Sequence, residues 1–217
     1  MNFKNAVLHF NKICTHKYWV YHYCKLAGIP WRGIKHDLSK FSPVEFFESV
    51  KYYKGTSSPI DEAKKVNGVS YAWMHHKGRN DHHYEYWQDN FDNGGSPVQL
   101  PYECAVEMLC DYLGAGKAYM GNKFTYKGEF EWYLGKLALN IRMHDQTKKF
   151  IYIMFSDLAK EEYYFTDHEN GKFEKWLKKT VITKQNLKNK YKKASELSDE
   201  DFKRMIDYDK EWWNHRK

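Results

Sequence analysis

Apolar residues recur at helical spacing along most of this chain, and this period constrains its fold more than any other feature. The first stretch, residues 3–27, repeats apolar side chains at three- to seven-residue intervals and ends before Gly28 and Pro30, which are typical helix stop signals. Only 5 prolines occur in 217 residues, and aromatic residues make up 18% of the chain, so side chains for a core are plentiful. The pattern predicts an all-α fold, a helical bundle.

Start and stop signals divide the rest of the chain into further predicted helices. They cover residues 31–41, 43–53, 60–66, 71–87, 101–113, 129–144, 147–159, 173–194 and 199–214. The segment 71–87 is predicted either as one helix or as two that meet at a break over residues 78–81. Residues 114–128 are glycine-rich and are predicted to form a loop, whose Gly114-Ala115-Gly116-Lys117 lacks the spacing of a phosphate-binding P-loop.

Positive charge is concentrated near the C-terminus. The net charge is +7, and residues 171–217 hold 14 Lys and Arg against 8 Asp and Glu, so the preceding part is nearly neutral. We therefore expect a helical domain over residues 1–165 and a basic helical extension over residues 166–217. The extension is suited to contact nucleic acid. A solvated helical face explains the same charge, since acids are interleaved with the lysines.

The sequence favours an intracellular protein without a membrane partner. Its four cysteines show no CxxC spacing, and a disulfide framework is unusual in a chain of this length. The first residues, MNFKNAVLHFNK, do not resemble a signal peptide. No run approaches the roughly 18 apolar residues of a membrane span. We expect reduced thiols and a cytoplasmic location.

The dipeptide His36-Asp37 places an imidazole beside a carboxylate and can thereby supply two metal ligands. His16 borders the apolar stripe of the first predicted helix and should face the interior or a cleft. Asp111 lies within the apolar run of the helix predicted at residues 101–113, where burial without a cation or a metal would be costly. A second such dipeptide, His144-Asp145, falls at a helix end and is predicted to be a surface cap.

Four histidines fall within nine positions of one predicted helix: His75, His76, His82 and His83. In a continuous helix His75 and His82 would share a face, and so would His76 and His83. A break at residues 78–81 would instead let the two pairs converge on one point. The sequence leaves open which of the four are ligands.

Together these side chains form a candidate metal site. Imidazole and carboxylate donors suit manganese, iron, zinc, nickel or cobalt rather than calcium. Three or four donors would hold one ion, and the additional histidines could hold a second. Such a site lowers the pKa of a coordinated water, which then becomes a nucleophile near neutral pH.

The order His16, His36-Asp37 and Asp111, on successive helices, resembles the HD-domain superfamily of metal-dependent phosphohydrolases. Lys40 matches the HDxxK form of the superfamily motif. The segments HDLSKFSPVEF, RNDHH and EMLCD, which begin at residues 36, 79 and 107, also resemble an uncharacterised family of unknown function found in bacteria and phages. The resemblance covers about residues 3–165 and implies an HD-like helical bundle.

The resemblance implies one set of metal ligands and one set of substrate-binding residues. The metal ligands would be His16, His36, Asp37, His76, His82, His83 and Asp111, with the register of the two adjacent His pairs still open. Asp37 would also orient or deprotonate the attacking water. Lys40 and Arg79 would contact phosphate oxygens, where cations match the developing negative charge, and Asn80 would bind substrate beside them.

The leading hypothesis is a metal-dependent phosphohydrolase of HD type, with one or two ions, that acts on a nucleotide or another small phosphoester. The resemblance also allows an oxygen-dependent oxidoreductase, since some HD-fold proteins bind two irons. A third hypothesis is a non-enzymatic bacterial or phage protein that binds a nucleotide, or binds nucleic acid through residues 171–217. The sequence leaves the substrate, the metal and the oligomeric state open.

Overall fold

The computed structural model describes residues 2–90, 92–165 and 172–216, and these residues are helical with no β-strand. The helices are α1 (Phe3–Leu26), α2 (Pro30–Lys35), α3 (Pro43–Tyr52), α4 (Pro59–Asn67), α5 (Tyr71–Lys77), α6 (Tyr102–Met120), α7 (Tyr126–Ala138), α8 (Asp145–Tyr164), α9 (Lys172–Trp176), α10 (Lys184–Glu196) and α11 (Asp199–Asn214). Short 3-10 helices cover Leu38–Phe41, Tyr84–Trp87 and Gly121–Lys123, and a π-helical turn covers Leu177–Val181. The predicted all-α class is confirmed.

Side-chain caps fix the starts of several helices, as the sequence signals predicted. The Ser42 hydroxyl accepts from the Glu45 backbone N–H at 3.5 Å, with Pro43 as the first residue of α3. Ser198 caps α11 in the same way, at 3.1 Å from the Asp201 nitrogen. His144 is the N-cap of α8 and accepts from the Gln146 N–H at 3.3 Å, so the predicted cap at the second His-Asp dipeptide is confirmed.

The chain divides into two units, residues 1–124 and 125–217, and not at the predicted boundary after residue 165. The reason is that α8 packs against α7 and α10, and therefore belongs to the C-terminal unit. Within that unit the Phe150 ring meets Tyr191 edge-on at 5.5 Å. The first residues of the predicted extension, 166–171, lie outside the described residues.

The N-terminal unit is built on the contact between α1 and α6. A Cβ atom on Gly114 of α6 would lie 2.5 Å from Cγ2 of Val20 on α1, so only glycine allows this approach. The predicted loop over residues 114–128 is therefore wrong at its start, because α6 continues through Met120. Gly114, one of the glycines that suggested a loop, is instead a helix-packing residue.

Helices α3, α4 and α5 form a second layer of the N-terminal unit, with α3 packed against both others. Glu48 of α3 accepts from the Ser70 hydroxyl at 2.5 Å and from the Tyr71 N–H at 3.1 Å, which ties the start of α5 to α3. Gly68 ends α4 in the left-handed conformation, with φ of 74°, close to the predicted helix end at residue 66.

The C-terminal unit surrounds α8, whose inward face is almost entirely buried. The buried carboxylate of Asp209 on α11 accepts from the Tyr152 hydroxyl at 2.9 Å and the Ser156 hydroxyl at 2.6 Å, and Lys160 completes its neutralisation. The helix predicted over residues 173–194 is broken instead, because Thr183 caps a new helix start at α10.

The four cysteines are unpaired, with Cys14 exposed and the other three buried. Among the described residues, none of the helices combines the length and the apolar character that crossing a membrane requires.

Candidate metal centre

His36 and Asp37 lie where α2 ends, and the backbone there brings both side chains to one point. Successive residues of a regular helix diverge by about 100° around the axis. His36 instead leaves the helix with φ of −46° and ψ of 127°, and Asp37 adopts the left-handed conformation at φ of 54° and ψ of 28°. Asp37 is only 1% exposed. Both side chains consequently face the centre of the N-terminal unit.

Two long helices complete a first cluster, which we call site A and define as His16, His36, Asp37 and Asp111. Nε2 of His16, on α1, lies 3.1 Å from Oδ1 of Asp111, on α6. The same nitrogen lies 3.2 Å from Nε2 of His36, which is 3.2 Å from Oδ2 of Asp37. All four residues are buried.

A second cluster, site B, consists of Asp37, His76, His82 and His83. Nε2 of His76 lies 3.2 Å from Oδ1 of Asp37 and 2.9 Å from Nε2 of His83. Nε2 of His82 lies 3.4 Å from the same carboxylate oxygen. His75 turns away, with its Nδ1 at 2.6 Å from Oε1 of Glu45.

Site B exists because the chain breaks after α5. The helix ends at Lys77, Gly78 caps it, and a turn carries the chain through residues 78–83. Of the two arrangements that the sequence left open, the structure has the broken one. The break brings together side chains that a continuous helix would keep on different faces.

Asp37 belongs to both sites, with Oδ2 directed to site A and Oδ1 to site B. Both oxygens and Nε2 of His82 are buried, and none of the three has a hydrogen bond of good geometry in the described structure, although Oδ2 forms an ion pair with Nζ of Lys40 at 2.5 Å. Such groups are costly unless something else satisfies them. Ligand atoms within each site lie within 4.8 Å of one another. These donors fit divalent transition metals, which bind imidazole and carboxylate at about 2.0–2.2 Å.

Two glutamates that were not predicted to belong to the site hold the far side of the imidazole rings. Oε1 of Glu107 lies 2.9 Å from Nδ1 of His36 and 3.2 Å from Nδ1 of His82. Oε2 of Glu45 lies 2.8 Å from Nδ1 of His76. A carboxylate that accepts from Nδ1–H leaves Nε2 as the free donor atom, which is the usual support for a metal-binding histidine.

The spacing of Glu107 and Asp111 was the available signal for the first of these glutamates. Four residues apart, they share a face of α6. Glu45 gave a weaker signal, since its position in the capping motif of α3 already accounted for it.

His36, His82 and Glu107 also satisfy the distances of a metal-binding group. We interpret this group as hydrogen-bonded support and not as a third ion site. The guanidinium of Arg32 forms an ion pair with Glu107 and with Asp81. A divalent cation at Glu107 would be repelled by this neighbouring positive charge.

Charges within the metal-free cluster compensate one another. Burial opposes the protonation of His36, but Asp37, Asp111 and Glu107 outweigh it and hold the pKa of His36 well above its ordinary value. Burial also opposes the ionisation of Asp37, but His36, Lys40 and His76 hold its pKa well below the ordinary value. Metal ions would therefore replace protons on imidazoles when they bind.

The pKa values of two other members of the cluster are both lowered, for different reasons. Burial opposes the ionisation of Glu107, but hydrogen bonds from His36 and His82 lower its pKa to about 2. Burial and the neighbouring His82 hold the pKa of His83 well below its ordinary value. Glu107 is thus an ionised acceptor, and His83 is a neutral imidazole that can bind a metal without losing a proton.

A cavity of about 210 Å³ opens onto both sites. Its wall includes metal-site residues, namely His16, His76, His83 and Asp111. Lys12, Lys40, Trp73 and Tyr119 also line it. Burial disfavours the charged form of Lys40, but Asp37 and Asp111 outweigh this and raise its pKa. A cation therefore lies beside the candidate metal centre and faces the cavity.

The other two predicted substrate-binding residues lie elsewhere. Arg79 is exposed, does not line this cavity, and places Nη1 at 3.4 Å from the carbonyl oxygen of His75. Asn80 is buried and donates from Nδ2 to the Ser39 hydroxyl and the His76 carbonyl, each at 2.8 Å. Asn80 thus supports the turn that carries site B, and of the three predicted residues Lys40 alone faces the cavity.

The fold and the site define this chain as a helical protein with a buried His/Asp cluster able to hold metal ions. The chain belongs to a family of unknown function (DUF5662), whose model matches residues 5–157. No curated protein and no solved structure matches the chain. All residues of sites A and B lie within the matched range.

Proposed function

We propose that this protein is a two-metal phosphohydrolase of HD type that acts on a nucleotide or another small phosphoester. The observation that carries the proposal is Asp37, whose two buried carboxylate oxygens face two separate histidine-containing donor sets. A carboxylate shared in this way is suited to bridge two ions, and paired ions are a common means of cleaving phosphoesters.

The chain's own residues fit distinct parts of such a reaction. Sites A and B would hold the ions, which when bound would lower the pKa of a water and orient the phosphate. Lys40 faces the cavity beside Asp37 and is suited to neutralise a phosphate oxygen. The cavity volume of about 210 Å³ favours a small substrate. Trp73 and Tyr119 on its wall offer flat apolar surfaces for a base or sugar.

The resemblance to HD enzymes supports the same reaction class. His16, His36-Asp37, Lys40 and Asp111 match the superfamily pattern in order. The structure adds an observation that the pattern alone did not contain, since these residues lie together around one carboxylate.

The test measures metal content and hydrolysis in the same preparations. We expect purified protein to bind two equivalents of Mn²⁺ or Co²⁺ and to hydrolyse members of a nucleotide and phosphoester panel. Asp37→Ala should lose both ions. Asp111→Ala should lose the ion of site A and His83→Ala that of site B. Each variant should lose more than about 100-fold in activity, beyond the effect typical of an outer partner of a metal ligand.

Asp145→Ala is the matched control, because it alters the other His-Asp dipeptide, where His144 is only a helix cap. It should keep both ions and full activity. Unchanged metal stoichiometry in Asp37→Ala would refute the site. Two bound ions without hydrolysis of any panel member would refute the reaction class.

An oxygen-dependent di-iron oxidoreductase is the second candidate, favoured by the imidazole-rich donor set, which suits iron as well as manganese or cobalt. Iron in the purified protein together with substrate-dependent oxygen consumption would support it. Phosphoester hydrolysis with Mn²⁺ or Co²⁺ in the absence of oxygen would exclude it as the main activity.

Nucleic-acid binding is the third candidate, favoured by the exposed lysines of α10. Lys184 and Lys188 lie one turn apart on the exposed side of this helix. Salt-dependent binding of DNA or RNA that is lost in Lys184→Glu/Lys188→Glu would support it. Binding that is unchanged in that double variant would reject this face.

A further inference from the structure

Glu107 occupies an unusual position, between one ligand of site A and one ligand of site B. It is 3% exposed and lies one helical turn before Asp111 on α6. A single oxygen, Oε1, lies 2.9 Å from Nδ1 of His36 and 3.2 Å from Nδ1 of His82. The centroids of these two rings are only 4.4 Å apart.

The two contacts of Oε1 have the same effect on each ring. A carboxylate oxygen can only accept, so both imidazoles must carry a proton on Nδ1. Nε2 of His36 is then free toward site A, and Nε2 of His82 is free toward site B. One acceptor thus fixes the tautomer and the ring orientation of a ligand in each site.

Arg32 holds the other oxygen of the same carboxylate. Its guanidinium pairs with Oε2 of Glu107 through Nε and with Asp81 through Nη2. Asp81 immediately precedes His82, and its Oδ2 also accepts from the Cys104 thiol at 3.3 Å. The Arg32 bridge therefore fixes Glu107 relative to the turn that carries His82 and His83.

We propose that Glu107 is a positioning residue shared by the two metal sites, and that its acceptor oxygen supports the affinity of both ions. This inference rests on the proposed two-metal centre. It assigns to one carboxylate, which binds neither ion, an effect on both.

Glu45 provides a matched comparison on the other side of the centre. It is as buried as Glu107, at 2% exposure, and it also accepts from two imidazoles. Only one of those rings, that of His76, belongs to a metal site, namely site B. Glu45 should therefore support one ion, whereas Glu107 supports two.

The experiment compares Glu107→Gln, Glu45→Gln and wild type in full-length protein freed of metal with a chelator. Co²⁺ is titrated against a competing chromophoric chelator, and the cobalt absorption spectrum follows the two sites. In Glu107→Gln we expect both dissociation constants to rise by about 10- to 100-fold, the range seen for outer partners of metal ligands. In Glu45→Gln only one dissociation constant should rise.

Each outcome bears on a separate statement. Wild-type protein that binds fewer than two Co²⁺ ions would refute the two-metal centre itself. Two ions in wild type, with neither or only one weakened in folded Glu107→Gln, would overturn the shared role of Glu107. The shared role of Glu107 would also be overturned if Glu45→Gln weakened the binding of both ions equally. Loss of either buried glutamate would then have the same effect on metal binding.

Circular dichroism checks that the variants fold, and Glu107→Asp replaces Glu107→Gln if that variant does not. The shorter side chain keeps the charge but cannot reach both rings from the same backbone position. It should weaken at least one ion, with a changed cobalt spectrum. Wild-type affinity for both ions and a wild-type spectrum would overturn the proposal.

Discussion

Asp37 is the residue on which the centre depends, and its backbone is strained. A non-glycine residue with positive φ is uncommon, although Asp tolerates it better than most residues. At φ of 54° the strain is on the order of 1 kcal/mol. The conformation aligns its carboxylate with the His36 ring. Strain at this position is consistent with a functional demand on the residue.

His9, one of the cavity residues, should make stability depend on pH. It is buried against the rings of Phe46 and Tyr53, and burial, aided by the charge of Lys40, lowers its pKa from 6.5 to about 4. Between pH 6.5 and pH 4 this histidine is protonated in the unfolded chain but neutral in the folded protein. The free energy of unfolding therefore falls as pH falls. At pH 5 the loss is about 2 kcal/mol. Urea unfolding of metal-free wild type and His9→Gln at pH 7.5 and 5.0 measures it.

We expect wild type to lose about 2 kcal/mol more than His9→Gln between those pH values. Glu129 serves as a control of opposite sign, because burial raises the pKa of Glu129 to about 7. Its folded form stays protonated while the unfolded chain ionises, so stability falls as pH rises from 4.5 to 7. The stability of Glu129→Gln relative to wild type should therefore be greater at pH 7.5 than at pH 5. Parallel pH profiles in wild type and His9→Gln would contradict the assignment.

At the scale of residues, the sequence identified most of the candidate side chains. It did not predict which groups those side chains contact. The dipeptide, the histidine cluster and Asp111 were identified by spacing and by the cost of burying a charge. The sequence did not assign a role to Glu107, because carboxylates are common on helices. Its role depends on contacts with the rings of His36 and His82, which only the tertiary structure shows. Arg79 shows the converse, since only the tertiary structure reveals that it lies outside the cavity.

At the scale of the elements, the close contact of α1 with α6 aligns the two long helices that contribute to site A. Gly114 lies three residues after Asp111, and Val20 lies four residues after His16. A Cβ atom added to Gly114 would fall 2.5 Å from Cγ2 of Val20 and 3.0 Å from its backbone nitrogen. The contact therefore sits one turn from a ligand on each helix.

Gly114→Ala should push α1 and α6 apart. We expect a loss of about 1–3 kcal/mol in the free energy of unfolding, as for other overpacked sites. Metal affinity at site A should fall by roughly 10-fold, since His16 and Asp111 separate. Site B draws no ligand from either helix, so its affinity should fall less than that of site A. Urea unfolding and Co²⁺ titration measure the two effects.

Gly135→Ala in α7 is the matched control. A Cβ there meets nothing within 4 Å, so the added methyl group should stabilise the helix by about 0.5–1 kcal/mol. Metal binding should not change. Equal stability of Gly114→Ala and wild type would contradict the prediction, because it would mean that α1 and α6 can move apart here without cost.

Helix starts were predictable because capping is local, as Ser42 and Ser198 show. Glycines were harder to interpret, because the same residue ends α4 at Gly68 and permits close packing at Gly114. The choice depends on whether a partner helix lies opposite, and a single sequence does not contain that information.

For the whole molecule, the division into units follows packing and not composition. The change in charge near residue 171 led to a predicted boundary after residue 165, but α7 and α8 pack within the C-terminal unit. The apolar pattern of a helix shows which face is buried, but it does not show in which unit the helix packs. All residues of sites A and B lie in the N-terminal unit, residues 1–124.

This placement predicts where metal binding will protect the protein. An ion that binds only the native state raises the free energy of any opening that breaks its site, by about 2.7 kcal/mol at 100 times its dissociation constant. Openings confined to the C-terminal unit break neither site. Hydrogen exchange followed by mass spectrometry should therefore slow by about 100-fold in slowly exchanging segments of α1 and α6, and change little in α8 and α11.

Asp37→Ala supplies the control, because without a shared ligand the added ion should leave exchange unchanged in every segment. The comparison also tests the independence of the units. Equal slowing of α8 and α1 in wild type would mean that the whole chain opens in one step, so that binding in one unit raises the cost of every opening. Slowing restricted to the N-terminal unit would show that this unit forms and holds the metal centre by itself.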